Sequence, residues 1–167
     1  MKTTAFTIYD ASAGSGKTYT LTKEYLKILF LATNDDAYRK ILAITFTNKA
    51  VEEMKTRIVS SLYQFSLDNT SDKAMELLKD VASETKLSIA TLKDKSKAII
   101  KNIIHNYAAF DISTIDKFTH KVIRTFAQDF NLPPNFEVSL ETDSLLQEAI
   151  DLVISKAGDD VNLTKLL

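Results

Sequence analysis

Cysteine is absent from this 167-residue chain, so disulfides and thiolate metal sites are excluded, and a reducing cytoplasm is the compartment expected. No apolar run reaches the roughly 18 residues a membrane-spanning helix needs. Met1-Lys2-Thr3-Thr4 leads straight into an alternating segment, which leaves no expected secretory leader. Charge of either sign is not in excess. The net value of −1 means that any contact with a polyanion must come from a local patch. Glycine is scarce as well: there are three in all, and two of them, Gly14 and Gly16, fall within one short stretch.

That stretch, Ala11-Ser12-Ala13-Gly14-Ser15-Gly16-Lys17-Thr18, fits the phosphate-binding pattern G-x-x-x-x-G-K-[ST] with alanine at the first glycine. Glycine permits φ > 0 and lets backbone N–H groups approach an anion with no Cβ in the way. Successive amides then form a concave nest for phosphate oxygens, opening onto a helix N-terminus whose dipole favours negative charge. Lys17 would reach the β- and γ-phosphates and the Thr18 hydroxyl would ligate Mg²⁺. The candidate nucleotide-binding residues are therefore Ala11 through Tyr19, with Lys17 and Thr18 carrying the chemistry and Thr18 the metal.

The elements around this loop read as α/β. Phe6 and Ile8 alternate like a strand, and Leu21, Tyr25, Ile28 and Leu29 place a helix over roughly 17–32. Ile41 to Phe46 is a continuous apolar run, suiting a parallel strand buried on both faces. Thr47 or Asn48 can cap the next helix, whose buried stripe is Val51, Met54, Ile58, Leu62 and Phe65. Residues 68–107 contain no glycine or proline and read as two or three helices, with Leu77, Leu78, Val81, Ile99, Ile100, Ile103 and Ile104 apolar. His105 beside that stripe reads as structural. Phe110 to Ile115 is a third, shorter strand. A helix from Asp116 to Phe130 then sets Phe118, Val122, Phe126 and Phe130 opposite Lys117, His120, Lys121 and Arg124. Such a basic face is either a solvated surface or a row of nucleic-acid backbone contacts. Pro133-Pro134 stops that helix, and an extended piece over 136–140 leads to a last helix with Gly158 as its C-cap.

Three blocks together resemble the UvrD/Rep-like superfamily-one DNA helicases, closest to the RecB/AddA helicase–nuclease branch. They are ASAGSGKTYTLT, ILAITFTNKAVEEMKTRI and ISTIDKFTHKVIRTFAQDFNLPPNFEV. The second resembles motif Ia of that family and the third motif Ib. The resemblance implies an ATP-driven motor moving 3′ to 5′ on single-stranded DNA, with Mg²⁺ as the metal, and a possible partner subunit of a helicase–nuclease complex. It assigns DNA contacts to Thr45, Phe46, Thr47 and Asn48, and to Thr114, Lys117, Lys121 and Arg124. Asp116 stands where many members carry histidine, and an ionised carboxylate cannot donate to phosphate.

The implied fold is a RecA-like phosphate-loop NTPase, a parallel sheet flanked by helices. Residues 1–67 would be the first half of the ATP-binding domain, 68–107 an all-helical insertion, 108–140 the return, and 141–167 the start of a truncated helical region. No apolar run ends in Asp-Glu, the family's second nucleotide motif, so the sheet is expected to lack a strand and to expose apolar surface. The chain then reads as the ATP-binding N-terminal fragment of a larger enzyme, essentially inactive alone. Two alternatives are a self-contained small phosphate-loop NTPase and a non-catalytic interaction module. The former fits poorly, because D-x-x-G and N-K-x-D are absent and only Arg39, Arg57 and Arg124 are available to clamp phosphates.

Overall fold

The computed structural model describes residues 6–9, 16–133, 135–137 and 142–156. The chain divides into two compact units, Met1–Thr119 and His120–Leu167.

The first unit is built mainly of four helices: α1 (Lys17–Leu31), α2 (Asn48–Ser66), α3 (Asp72–Thr85) and α4 (Ile89–His105). Two three-residue strands, β1 (Ala43–Thr45) and β2 (Ile112–Thr114), form a parallel pair with Ala43 opposite Ile112 and Thr45 opposite Thr114. A parallel pair requires a long crossover, and α2, α3 and α4 supply it. The first unit is thus mostly helical with a small parallel sheet.

Helix α2 forms as its sequence dictates. Thr47, in extended conformation, caps it by accepting a hydrogen bond at 3.1 Å from the Ala50 N–H, a device worth about 1 kcal/mol. Val51, Met54, Ile58, Leu62 and Phe65 recur at intervals of three and four, and all five are buried. They meet α4, whose Leu92, Ile99, Ile100 and Ile103 complete one continuous core with Tyr25, Leu26, Leu29 and Phe30 of α1. Ser88 caps α4 through the Thr91 N–H at 3.1 Å. Two α4 lysines finish other helices: Lys95 Nζ donates to the carbonyls of Phe30 and Ala32, and Lys93 Nζ to those of Leu67 and Asp68. A cation at these C-termini also meets the negative end of each helix dipole.

Several expectations need correction. Phe6 to Tyr9 lies outside any strand, and Phe6 and Ile8 are 79% and 77% exposed. A sheet of three residue pairs offers few backbone partners, and Phe6 and Ile8 find no apolar cover there. In α1 the buried face is Thr22, Tyr25, Leu26, Leu29 and Phe30, so Leu21 and Ile28 point outward. β1 is covered on one face only: Ile41 and Ala43 pack on the core, while Leu42 and Ile44 are exposed. The apolar run over 41–46 therefore alternates like a half-buried strand. Ile104 lies outside the core on α4 and is exposed. Ile115 opens a helix rather than ending the third strand.

Helix α5 (Ile115–Thr125) starts in the first unit and ends in the second. It stops five residues earlier than its periodicity suggests, because the chain turns over 126–131 and Asn131 adopts φ 54°. In the second unit Ala127 is buried, the Leu132 N–H donates to the Ala127 carbonyl at 2.9 Å, and the rings of His120 and Phe136 meet edge to face. Helix α6 (Thr142–Ser155) is exposed along its whole length. The expected extended piece over 136–140 and the Gly158 cap fall largely or wholly outside the described residues.

Candidate nucleotide site and nucleic-acid interface

Of the candidate phosphate loop, Ala11, Ser12, Ala13, Gly14 and Ser15 lie outside the described residues; its exit is described. Gly16 sits at φ 82°, ψ 15°, the left-handed conformation, and is the N-cap of α1. A Cβ there would meet nothing within 4 Å, so glycine is required by the backbone conformation and not by crowding. Among the described residues no side chain caps α1. Its first intrahelical bond runs from the Thr20 N–H to the Gly16 carbonyl at 2.9 Å, which leaves the amides of Lys17, Thr18 and Tyr19 without a helical partner. Lys17 is exposed and Thr18 half-buried. Among the described residues this is an uncapped, positively polarised helix start, the kind an anion needs.

The side chain of Tyr19 is used elsewhere. Its hydroxyl donates to Asp80 Oδ2 of α3 at 2.7 Å, and burial followed by that bond and the Asp80 charge pushes the phenol up to about 12. One and two turns further on, Lys23 and Lys27 both pair with Glu84 at 2.6 Å, and Lys27 also pairs with Glu24. Hydrogen bonds from Lys23 and Lys27 hold the Glu84 carboxyl below its ordinary range. Burial opposes the Lys27 charge, yet its bonds to Glu24 and Glu84 outweigh this and raise it. The helix that follows the phosphate loop is thereby fastened to α3 by a polar seam. Sequence reasoning missed Asp80 and Glu84, since partners 61 residues apart leave no periodic signal. Beside Tyr19 and Thr22 a cavity of about 260 Å³ opens between α1, α2 and α3, with Arg57, Gln64 and Lys73 on its walls.

The two segments expected at DNA leave the sheet side by side. β1 and β2 run parallel with Thr45 opposite Thr114, so 46–48 and 115–117 both emerge at the carboxyl end of the strand pair. That edge is the usual ligand-binding side of parallel sheets. Phe46 is 86% exposed, which rules out a role as the last core residue of its strand. Thr45 Oγ1 donates to the Thr47 carbonyl at 3.2 Å, and Asn48 begins α2 exposed. Thr114 is buried and its hydroxyl accepts from the Lys117 N–H at 3.3 Å, so it holds the start of α5. Asp116, Lys117, Lys121 and Arg124 are exposed along that helix. His105 is exposed at the last turn of α4, not packed into the core beside it. Among the described residues, no group of three or more histidine, aspartate or glutamate side chains could hold a metal.

Comparison with known proteins identifies the class. The family model of the UvrD/REP helicase N-terminal domain matches residues 3–166, and the chain belongs to that family. Curated relatives carry the name of the A subunit of the ATP-dependent helicase/nuclease. The protein of that name from Lactobacillus acidophilus is 32% identical over 131 residues, covering 78% of this chain and 9% of the relative. The one from Streptococcus suis is 31% identical over 147 residues, 86% of this chain and 10% of the relative. That from Staphylococcus carnosus is 28% identical over 158 residues, 93% and 11%. The chain thus spans about a tenth of the length of the curated relatives it matches. No solved structure matches significantly. Among the described residues no helix is long and apolar enough to cross a membrane.

Proposed function

We propose that this chain is the ATP-binding N-terminal part of an ATP-dependent DNA helicase of the helicase–nuclease kind, working on DNA in the cytoplasm. The observation that carries this reading is the left-handed Gly16 opening onto the start of α1, uncapped among the described residues, with Lys17 and Thr18 next in line. Residues 11–19 would cradle the phosphates through backbone amides. Lys17 would place its charge on the β- and γ-phosphates, and the Thr18 hydroxyl would ligate Mg²⁺. When bound, ATP with Mg²⁺ supplies the transferable phosphoryl group and neutralises its charge. In this reading residues 1–67 and 108–140 belong to a RecA-like motor domain, 68–107 are an insertion, and 141–167 open a further helical region.

DNA would be held at the carboxyl end of the strand pair. Phe46 offers an exposed ring on which a base can stack, a contact worth about 1–3 kcal/mol. Thr45, Thr47 and Asn48 are its neighbours in sequence, Thr114 positions the start of α5, and Lys117 would meet a backbone phosphate; Lys121 and Arg124, exposed in the second unit, would be phosphate contacts of that unit. Hydrolysis needs further groups: a carboxylate on Mg²⁺, a residue orienting water and an arginine finger. The sequence carries no Asp-Glu motif to supply the first, so turnover by this chain should be negligible.

Titration with a fluorescent ATP analogue tests the reading. Saturable, Mg²⁺-dependent binding that is lost in Lys17→Ala is expected, with DNA-stimulated hydrolysis far below about one per second. Equal binding by Lys17→Ala would contradict the nucleotide assignment. Rapid hydrolysis would instead favour a self-contained NTPase.

A further inference from the structure

We propose a second polyanion-binding surface on this protein, the groove between α2 and α4, and assign its occupant as a single-stranded nucleic-acid backbone. It goes beyond the motif residues above and shares none of them.

Helix α4 carries four lysines, and they divide sharply. Lys93 and Lys95 are fastened to carbonyls at the ends of α2 and α1. Lys97 and Lys101 are exposed and have no ion-pair or hydrogen-bond partner among the described residues. With His105 they repeat every fourth residue, which sets a row of cationic or titratable groups about 6 Å apart along one side of the helix. Unlike Lys93 and Lys95, none of the three side chains bonds a helix-end carbonyl among the described residues.

The row borders a groove of about 380 Å³ lined also by Tyr63, Ser66 and Ile104. Tyr63 and Ile104 are exposed there. Outside the groove's lining, Lys55 of α2 sits over the ring of Tyr107, just past the end of α4, at 5.4 Å. The carboxylate facing the row on its own helix is Asp94, one turn before Lys97. On α2, Glu53 is already paired with Arg57, and Glu52 lies about three turns from Tyr63. Unpaired cations beside an exposed aromatic ring are the two parts of a surface that tracks a strand backbone and stacks its bases. Acidic side chains would use the lysines but have no planar ring to stack on Tyr63, whereas every base does. In a chain with net charge −1, this row is a local concentration of positive charge of the kind such binding requires.

The test uses the whole chain and a single-stranded oligonucleotide. Tryptophan is absent from the sequence, so Tyr63→Trp installs a unique reporter. Its emission should be quenched as the oligonucleotide binds. Lys97→Ala with Lys101→Ala should lower the slope of log affinity against log salt by about 1.4, at 0.7 for each single-strand phosphate no longer neutralised. Fluorescent nucleotide binding should be unchanged in that double variant, which separates this surface from the phosphate loop. Phe46→Ala serves as the comparison for the strand-end surface. An unchanged salt slope in the double variant overturns the proposal even if Phe46→Ala weakens binding. So does an oligonucleotide that binds without changing the tryptophan emission and is displaced by polyglutamate, an outcome pointing to an acidic peptide. Failure of the unmodified chain to bind the oligonucleotide at low salt overturns it as well.

Discussion

Helices α2 and α6 look alike on paper and differ in what covers them. Both are amphipathic, and both carry leucine, isoleucine and valine at helical spacing. In α2 every stripe residue is buried against α4, α1 or the sheet, and a threonine cap closes its start. In α6 Leu145, Leu146, Ile150, Leu152, Val153 and Ile154 are all exposed. Periodicity therefore specifies that a helix has an apolar face, and only tertiary partners decide whether that face contributes stability.

The contrast is sharpest under truncation. Ile58→Ala or Leu62→Ala removes a fully buried side chain and should cost about 2–5 kcal/mol in urea unfolding. Ile150→Ala should stay within about 0.5 kcal/mol. Comparable losses at both helices would break the comparison. Thr47→Ala comes next, at about 1 kcal/mol, because the Ala50 amide loses its acceptor.

A smaller effect of opposite sign is expected inside the core. Tyr25 is buried against Phe110, and its hydroxyl has no hydrogen-bond partner among the described residues. Burial and the nearby Asp111 charge push its ionisation upward. Tyr25→Phe removes a donor unsatisfied among the described residues and should leave stability unchanged or raise it by less than about 1 kcal/mol. Last is the seam between α1 and α3. The Glu84 carboxyl is depressed in the folded state, so its contribution is present above the ordinary carboxylate range. It is lost as pH falls through the folded value. The groups are partly exposed, so the contribution is below about 1 kcal/mol, and Glu84→Gln should flatten the acid limb of stability measured against pH.

Much of this architecture could be read from residue order. The α2 stripe, the start of α1 at Lys17 and strands near 43 and 112 in a parallel sheet follow from periodicity, a glycine elbow and β-rich runs; that these two strands pair is seen only in the fold. The left-handed Gly16 follows from the motif. What escaped was tertiary. Phe6 and Ile8 alternate as a strand should, yet a strand is made by its neighbours, and Phe6–Tyr9 joins no sheet. The Tyr19–Asp80 bond, the lysines that cap distant helices and the exposure of Phe46 depend on where helices cross, which no local pattern records. The same holds for Lys97 and Lys101, indistinguishable in sequence from Lys93 and Lys95 until the carbonyls they reach are known.

The most direct test of the central claim is the backbone amide spectrum of the isotopically labelled chain with and without ATP and Mg²⁺. An anion seated at the start of α1 should move the amide resonances of Gly16, Lys17 and Thr18 far more than that of Thr20, whose N–H is already bonded to the Gly16 carbonyl, and Lys17→Ala should abolish the change. Unmoved resonances at millimolar nucleotide, or shifts scattered evenly over the chain, would contradict it.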